Sequence, residues 1–489
     1  MRRITFCFIL TAILSVLLMA DIQNEWETQL KKYAAIYSHL KTNYPGEVNV
    51  EDVVFASIRG LLKKLDPHSY FLDPDSYRSI NEDQKGNYYG IGTRITKYED
   101  RLTVSTPMKD TPAYKLGIRT GDIITEIDGD KTENMSLNEA MKHLRGAKGT
   151  MVTIKILREG LKQQLEFKIT RAEIPLNSIS FSLPLPWEPE IGYISIRTFG
   201  GTTADELKEK LDFLLRKKKI KAVILDLRGN TGGSLFAAVE VSDFFLEKDK
   251  LIVSIRGRTI EQELRSQKNY QYEGLPISIL INRGSASASE IVASALQDHK
   301  VATVIGVRSW GKGLVETVRP LSLNSGLALT TAKYYTPKNK CLQRDFTELD
   351  DYLFFFNQPD YDTNRDIEGG VLPDVVVPTP EVPEMIIEFI SKGIFFSFAR
   401  QVVDSGQKID TSFKSDRKTL KQFQRYLQTK KIKYDPKAFE KNSERIKSQI
   451  EQEILTNKFS SQEGLKAFLK QDPVTGKAVE ILKGKISNR

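Results

Sequence analysis

Short apolar runs typical of buried strands alternate with helical segments between residues 174 and about 380. The runs read IGYISIR, KAVILDLR, LIVSIR, ISILIN and VATVIG, and the helical segments include residues 203–217 and 234–246. A later stretch, GLALTTAKYYTP, has the apolar–polar alternation of a further strand. This order of elements predicts an α/β domain in which helices cover a largely parallel sheet.

The whole chain is too long to form that domain alone. Its 489 residues exceed what one hydrophobic core usually holds, and its 28% of charged residues is typical of a folded protein. We therefore predict a multidomain chain with five regions, at residues 1–20, 21–85, 86–172, 173–380 and 381–489.

The first region has the pattern of an export signal. Arg2 and Arg3 precede an apolar run that ends near Met19, and the small Ala20 follows it. This pattern is typical of a secretory signal, whereas the bulky Leu18 leaves an uncleaved membrane anchor as the alternative. In either case we expect export of the remaining chain to a bacterial periplasm or cell envelope, with inner-membrane anchoring as the alternative to release.

The second region is predicted to be helical, and the third combines strands, glycine turns and one short helix. That helix lies in SLNEAMKHLRG, where Ser136 is the expected N-cap and Glu139 completes a capping box. The order of elements in the third region resembles a PDZ domain. This resemblance implies that the YGIG loop, with Gly90, Ile91 and Gly92, binds the terminal carboxylate of a peptide that adds a strand to the domain edge.

The last region, residues 381–489, reads as helices rich in lysine, within a chain of net charge +9. The lysines are interleaved with acids, and no arginine-rich arm or aromatic–basic motif accompanies them, so nucleic acid is not an expected partner. We interpret this region as a solvated helical appendage or a dimerising element, with membrane-surface binding as the alternative.

The segment NRGSASASEIVASALQDHKVATVIGVRSWGKG, residues 282–313, contains the strongest candidates for chemistry. Its end, GVRSWGKG, matches the Gly-x4-Gly-Lys part of a phosphate-binding loop. Gly313, however, stands where a Mg²⁺ ligand requires Ser or Thr, and the following residues read as a strand instead of a helix. We therefore do not expect a nucleotide site.

A serine nucleophile in this segment would need a base, and histidine does not fit that role. His299 follows Ser287 by twelve residues, which corresponds to about 18 Å along a helix. A base must come within about 3 Å of the hydroxyl, and the other three histidines lie outside the α/β region. A Ser-His-Asp triad is therefore not expected.

Lys312 is the remaining base. It follows Ser287 by 25 residues, and the strand between them could return the chain to the helix N-terminus. A lysine removes a proton only in its neutral form, which burial favours, as in Ser-Lys variants of the triad. The oxyanion would need two N–H donors, from Ala288 at the helix start and from Gly232 or Gly233 in DLRGNTGG.

Five phrases carry a family resemblance: LDLRGNTGG, NRGSASASEIVASALQD, VIGVRSWGKG, LTTAKYYTP and GGVLPDVVV. Together with the PDZ-like region they resemble the carboxyl-terminal processing (tail-specific) proteases of serine peptidase family S41. The resemblance implies a crotonase-like layered core with Ser287 as nucleophile, Lys312 as base, and structural roles for Ser285 and Ser289. It also implies acyl-enzyme chemistry on flexible polypeptide C-termini, without a metal or organic cofactor.

Two features depart from the family. The usual glutamine four residues after the lysine is replaced by Glu316, whose ionised carboxylate would keep Lys312 charged. We expect Glu316 to be protonated, to turn away, or to tune or reduce activity, and Glu316→Gln to preserve or raise peptide cleavage. The second departure is an aromatic and acidic insert at residues 341–368, which would cover the active-site mouth or form an interface.

Two other functions and two partners stay open. Glu316 is the one feature that favours a catalytically impaired PDZ adaptor, and the α/β fold alone would also suit a binding protein for small apolar ligands. A homodimer through the helical regions and an activating or adaptor protein are further candidate partners.

Overall fold

A computed structural model describes residues 26–98, 100–158, 160–161, 163–267, 271–344, 369–378 and 382–488. The export signal predicted at residues 1–20 and nearly all of the insert at residues 341–368 lie outside the described residues. The chain divides into two compact units, Met1–Phe71 and Leu72–Arg489. No helix among the described residues is both long and apolar enough to span a bilayer.

The described part of the first unit contains two helices, α1 over residues 26–43 and α2 over Val50–Lys63. Asn49 caps α2, because its side-chain oxygen accepts a hydrogen bond from the Glu51 N–H at 3.0 Å. A short strand, β1 (Tyr70–Leu72), lies where the chain passes into the second unit.

A six-stranded antiparallel sheet forms the first part of the second unit. The elements here are α3 (Pro74–Lys85), β2 (Asn87–Gly90), β3 (Thr93–Tyr98), β4 (Arg101–Pro107), α4 (Pro112–Lys115), β5 (Ile123–Ile127), β6 (Asp130–Lys131), α5 (Leu137–Leu144), β7 (Met151–Leu157), β8 (Leu165–Thr170) and β9 (Ala172–Pro175). The strand order is β3-β4-β5-β7-β8, with β6 paired to β5 and β2 paired to β9. Strand β3 is therefore an edge strand, with no pairing partner on its outer side among the described strands.

Helix α5 begins with the predicted capping box. The Ser136 Oγ accepts from the Glu139 N–H at 3.2 Å, and the Ser136 N–H donates to the Glu139 carboxylate at 2.7 Å. Ala140 and Leu144 lie on the buried face of this helix, where they pack against the sheet. The prediction of the N-cap from sequence is confirmed.

A mixed α/β arrangement of two sheets follows. The elements are β10 (Ile179–Leu185), β11 (Glu188–Ile196), α6 (Thr203–Lys217), β12 (Ala222–Asp226), α7 (Leu235–Asp243), β13 (Leu251–Gly257), β14 (Glu261–Arg265), β15 (Ile277–Ile281), α8 (Ala288–Asp298), β16 (Ala302–Gly306), β17 (Leu314–Pro320), β18 (Gly326–Tyr335) and β19 (Val375–Val376). The first sheet has the order β10-β11-β12-β15-β16-β19, in which only β10 is antiparallel to its neighbour.

The parallel sheet is confirmed for four of the five apolar runs, and the prediction is wrong for LIVSIR. That run is β13, which pairs antiparallel with both β14 and β18 in a second sheet, to which β17 also belongs. A short connection leads from β13 directly into β14, and a connection of that length allows only antiparallel pairing. An apolar run by itself does not reveal this direction.

Helices complete the second unit. They are α9 (Glu384–Ser391), α10 (Ile394–Asp404), α11 (Arg417–Thr429), α12 (Pro436–Lys441), α13 (Ser443–Lys458), α14 (Ser461–Gln471) and α15 (Pro473–Ser487). Their core is rich in buried phenylalanines, namely Phe389, Phe395, Phe398, Phe423 and Phe439.

Helix α15 is built into the α/β core. Helices α6, α7 and α8 cover one face of the parallel sheet, and α15 covers the other. Ala478 and Leu482 of α15 pack with Ile224 and Leu280 of the strands, and all four side chains are fully buried. The interpretation of residues 381–489 as a solvated appendage is therefore wrong for this last helix.

Candidate active site

Ser287 occupies a strained turn between β15 and α8. Its backbone has a φ of 56° and a ψ of −116°, a conformation that side-chain-bearing residues rarely adopt. Such a conformation costs about 1–3 kcal/mol and persists only where its surroundings over-determine it, which is common at active sites. A serine on a tight strand-to-helix turn is also the arrangement of a nucleophile elbow.

The two neighbouring serines have structural hydrogen bonds. Ser285 Oγ donates to the Leu227 carbonyl at 2.8 Å, and Ser289 Oγ donates to the Asn230 carbonyl at 2.8 Å. Both side chains are buried, whereas Ser287 is partly exposed. These bonds tie the turn to the loop over residues 227–233.

Asn230 organises that loop. Its amide Nδ2 donates to the Ile196 carbonyl at 2.9 Å, and its own carbonyl accepts from the Ala286 N–H at 3.0 Å. Its side-chain oxygen accepts from the Gly232 N–H at 2.9 Å. The sequence analysis did not single out Asn230, although an asparagine two residues before a glycine is a signal for this kind of turn.

Gly232 and Gly233 differ in what their N–H groups contact. The Gly232 N–H donates a hydrogen bond to the side-chain oxygen of Asn230, whereas the Gly233 N–H donates to no group among the described residues. Gly233 is exposed and Gly232 is buried. Of the two glycines predicted as oxyanion donors, the geometry therefore favours Gly233 over Gly232.

Ala288 supplies the other predicted donor. It is the first residue of α8, and its N–H likewise has no partner among the described residues. A Cβ atom on Gly232 would lie 2.8 Å from the Ser287 Cβ and 3.0 Å from the Ala288 nitrogen. The glycine loop and the serine turn are thus in direct contact.

Glu290 connects the serine turn with the lysine loop. Its carboxylate is 1% exposed and accepts four hydrogen bonds. Oε1 accepts from Ser309 Oγ at 2.5 Å and from the Gly311 N–H at 2.7 Å. Oε2 accepts from the Ser287 N–H at 2.8 Å and from the Lys312 N–H at 2.9 Å. The sequence analysis missed this residue, although its place three positions after Ser287 matches a capping box.

Lys312 lies beside Glu316. Its Nζ is 2.9 Å from Glu316 Oε1, and the two side chains are 29% and 18% exposed. Oε1 is buried without a well-aligned hydrogen bond, so the contact is one of charges. Glu316 therefore does not turn away from the lysine. Burial, reinforced by the charge of Glu316, raises the pKa of the adjacent Tyr334 to about 12.

His299 is at the opposite end of α8 from Ser287. It is the C-cap residue of the helix, and its Nε2 lies 2.7 Å from the Leu251 carbonyl oxygen. This position is consistent with the exclusion of His299 as the base for Ser287.

In the YGIG loop of the domain with the six-stranded sheet, the carbonyl groups of Ile91 and Gly92 accept hydrogen bonds from the backbone of the same domain. The Ile91 carbonyl accepts from the Ala113 N–H, and the Gly92 carbonyl accepts from the Met108 N–H, both at 2.9 Å. The N–H groups of Ile91 and Gly92 have no partner among the described residues. Gly90 instead pairs with Ala172 in the β2–β9 ladder.

Three family models match the chain. They are the PDZ domain over residues 80–157, peptidase family S41 over residues 190–351, and a probable PDZ-protease C-terminal helical domain over residues 436–482. The family S41 match includes Ser287 and Lys312. The domain limits derived from sequence stay predictions.

Two curated relatives and one solved structure are similar to the chain. A carboxy-terminal-processing protease of Bartonella bacilliformis is 38% identical over 354 residues, which cover 70% of this chain and 80% of the relative. The carboxy-terminal processing protease CtpB of Bacillus subtilis is 32% identical over 343 residues, 70% of this chain and 71% of the relative. The solved Photosystem II D1 C-terminal processing protease is 27% identical with a TM-score of 0.40, covering 74% of this chain and 90% of that one.

The family predicted from the sequence motifs is thus confirmed by the extent of these matches. A PDZ domain precedes a family S41 peptidase segment, and the identity to the Bartonella protease extends over most of that protein. The chain belongs to the carboxy-terminal-processing proteases, a family of serine-type peptidases.

Proposed function

We propose that this peptidase is an exported endopeptidase that cleaves polypeptides at or near their C-termini with Ser287 as nucleophile and Lys312 as general base. One observation carries the proposal: the N–H groups of Ser287 and Lys312 both donate to Glu290 Oε2. The two backbone nitrogens therefore lie within two hydrogen-bond lengths of each other. A Ser-Lys dyad requires the two side chains to come within hydrogen-bond reach, and the proximity of the two backbones supports such an arrangement.

The chemistry would proceed through an acyl-enzyme. Neutral Lys312 takes the proton of the Ser287 hydroxyl while Oγ attacks the scissile carbonyl carbon. The N–H groups of Ala288 and Gly233 stabilise the resulting oxyanion. The intermediate collapses as the amine leaves with the proton from Lys312, and a water deprotonated by Lys312 then hydrolyses the ester.

The PDZ domain would select substrates with a free C-terminus. The unpaired N–H groups of Ile91 and Gly92 offer two donors for a terminal carboxylate, with Gly90 as the first residue of the loop. The open edge of β3 offers backbone groups to a peptide that adds as a further strand. These features support recognition of polypeptide tails.

Export is supported by the sequence alone. The basic start and apolar run before Ala20 favour delivery to the periplasm or cell envelope. Fractionation of cells that express a C-terminally tagged chain would check this location, and recovery of the tag in the cytosol would contradict it. The homodimer and the activating or adaptor protein stay predictions.

A serine-directed fluorophosphonate probe and cleavage of β-casein test the dyad. Ser287→Ala and Lys312→Ala should each lower both activities by at least about a thousandfold, as removal of a triad member does. Ser294→Ala is the matched control, because it removes a buried hydroxyl of the same helix whose hydrogen bond among the described residues is to the Ile291 carbonyl. Cleavage by Ser287→Ala at the wild-type rate would refute the proposal.

The 2.9 Å contact between Lys312 and Glu316 favours one alternative, a catalytically impaired PDZ adaptor. That alternative predicts a wild-type chain that does not react with the probe but binds a peptide with a free C-terminus. It also predicts that amidation of the peptide terminus abolishes binding. Labelling of the wild type that requires Ser287 would exclude it.

A further inference from the structure

We infer that Glu290 is a positioning residue that aligns the nucleophile with the base by holding both backbones on one buried carboxylate. The inference rests on the proposed Ser287–Lys312 dyad and adds a residue that contacts neither reacting group directly. Three of the four donors to Glu290 are backbone N–H groups, from Ser287, Gly311 and Lys312.

The hydrogen bonds occupy both oxygens of the Glu290 carboxyl group. A carboxylate has about four lone-pair sites, and the two donors on each oxygen occupy all of them. The fourth donor, Ser309 Oγ, also accepts from the Val371 N–H at 2.6 Å, so it is itself held in place. No acceptor site on Glu290 is left for contact with a substrate.

Burial and hydrogen bonds act on Glu290 in opposite directions. Burial raises the pKa of Glu290, while the hydrogen bonds from Ser309, Gly311 and the other donors oppose that rise. Glu290 also lies in the first turn of α8, where the helix dipole favours a negative charge. A carboxyl group that is buried and bonded at four sites indicates a requirement beyond packing.

The requirement is the strained geometry of Ser287. With a positive φ, this residue would relax unless its N–H were held, and Glu290 Oε2 holds it at 2.8 Å. The same oxygen holds the Lys312 N–H, so a shift of Glu290 moves both dyad members. One backbone bond, from the Trp310 N–H to the Ser285 carbonyl, also links the two segments, but it contacts neither dyad residue.

Glu290→Gln is the test. An amide has one acceptor oxygen, so its NH₂ group must face two of the fixed donors, and either the Ser287 side or the Gly311 side loses its bonds. We expect kcat for peptide cleavage and the rate of fluorophosphonate labelling to fall by about a hundredfold, the effect of an ångström-scale displacement. The KM value and PDZ binding of a peptide with a free C-terminus should stay within about threefold of the wild type, because only the dyad geometry changes.

Glu451→Gln is the matched control. Glu451 is also buried, at 3% exposure, and accepts from Lys414 Nζ and the Ser415 N–H in the helical region. Its loss should lower the melting temperature without changing the labelling rate. A melt and a circular dichroism spectrum of each variant separate a folding defect from a change at the dyad.

Ser309→Ala is a second variant that tests the same inference if Glu290→Gln does not fold. It removes one donor and leaves the three backbone N–H groups, so we expect a smaller fall of kcat, roughly threefold to tenfold, with KM unchanged. Wild-type kcat in folded Glu290→Gln, or in Ser309→Ala where the former is unfolded, would overturn the inference. Equal labelling of wild type and Ser287→Ala would instead refute the dyad itself.

Discussion

A single carboxylate beside Lys312 distinguishes this site from the family pattern in which glutamine occupies that position. Glu316 Oε1 lies 2.9 Å from Lys312 Nζ, the atom that would take the proton of the serine hydroxyl. Replacement of Glu316 by glutamine, its neutral isostere, removes the carboxylate and keeps the shape of the side chain. The identity of residue 316 should therefore affect the rate of peptide cleavage.

We expect Glu316→Gln to keep or raise β-casein cleavage near neutral pH, by up to about tenfold. Initial rates of the two forms at equal enzyme concentration measure this. Glu263→Gln is a suitable control, because Glu263 forms an exposed ion pair with Arg265 on β14. Complete inactivity of folded Glu316→Gln would show that the carboxylate is required.

Gly232 is a second residue at which a small substitution should change activity, because there is no room for a Cβ atom. It has a φ of 106°, and an added Cβ would lie 2.8 Å from both the Ser287 Cβ and the Ala286 carbonyl oxygen. Gly232→Ala should lower the fluorophosphonate labelling rate by about a hundredfold or more, since either the turn at Ser287 or the loop over residues 227–233 must shift.

Gly229→Ala separates contact from backbone strain. Gly229 lies in the same loop with a φ of 69°, but its added Cβ would meet no atom within 4 Å. This variant carries the strain of a positive φ without the collision, so it should lose about 1 kcal/mol of stability and keep its labelling rate. Equal losses of labelling in the two variants would contradict the steric explanation.

Among the side chains, residues with a geometric role were not found from the sequence. Ser287 and Lys312 were singled out through the family resemblance of their motifs, and their roles stay predictions. Asn230 and Glu290 have roles that depend on which backbone groups surround them in the folded chain. Only the folded structure reveals that the Gly232 N–H already donates a hydrogen bond to Asn230.

At the scale of elements, helix α15 connects the C-terminal region to the loop over residues 227–233. Asp472 caps this helix by accepting from the N–H and Oγ1 of Thr475, and it also accepts from Arg228 Nη1 at 2.8 Å. Arg228 begins the turn of the glycine loop and bonds Asp226 as well. Burial opposes the charge of Arg228, but the two carboxylates raise its pKa above the usual value.

Asp472→Asn should weaken this connection without removing the helix cap, since asparagine is an equally good N-cap. We expect a loss of about 1–3 kcal/mol in unfolding free energy, typical of a hydrogen bond to a charged group. We also expect slower fluorophosphonate labelling, by roughly tenfold, because the loop that carries Gly233 loses a support. Thermal melts and labelling rates measure the two effects.

Asp416→Asn is the corresponding control. Asp416 caps α11 through the same contacts, with the N–H and Oγ1 of Thr419, but forms no ion pair among the described residues. Its replacement should leave both stability and labelling nearly unchanged. The connection through Arg228 has no role in catalysis if Asp472→Asn labels as fast as Asp416→Asn.

Helices with a clear hydrophobic period could be predicted from the sequence, whereas the elements against which they pack could not. Helix α6 occupies the predicted residues 203–217, because its apolar side chains recur at helical spacing. The burial of α15 against the sheet was missed because the sequence analysis treated this helix as part of a lysine-rich region, although its own apolar residues are buried on one face. Its link to Arg228 joins residues 244 positions apart, a distance over which local patterns carry no information.

At the scale of the second unit as a whole, the PDZ domain rests on the helical region. The rings of Tyr98 and Phe396 stack at a centroid distance of 4.9 Å and an angle of 9°. Arg400 Nη1 donates to the Gly121 carbonyl at 3.3 Å. Gly393 allows this close approach, because a Cβ there would lie 2.1 Å from the Tyr98 ring. The helical region therefore supports the domain that is proposed to receive substrate tails.

Glu453 of α13 places a carboxylate near this contact. Burial raises the pKa of Glu453, and the negative charge of Glu453 adds to burial in raising the pKa of Tyr98. A carboxyl whose pKa is raised in the folded state favours folding when protonated. Its favourable contribution is fully present below the pKa of the unfolded chain, about 4.3, and is lost as pH rises through the folded-state value.

Glu453→Gln should therefore raise the melting temperature near pH 7.5 by about 1–3 °C, and the difference from wild type should shrink toward pH 4. Melts of both forms at the two pH values measure this, with Glu444→Gln as the control for an exposed glutamate of the same helix. A wild-type melting temperature at neutral pH, or a gain that is the same at both pH values, would exclude a buried charge at this junction. The expected result would identify Glu453 as a buried carboxyl group whose charge destabilises the folded chain at neutral pH.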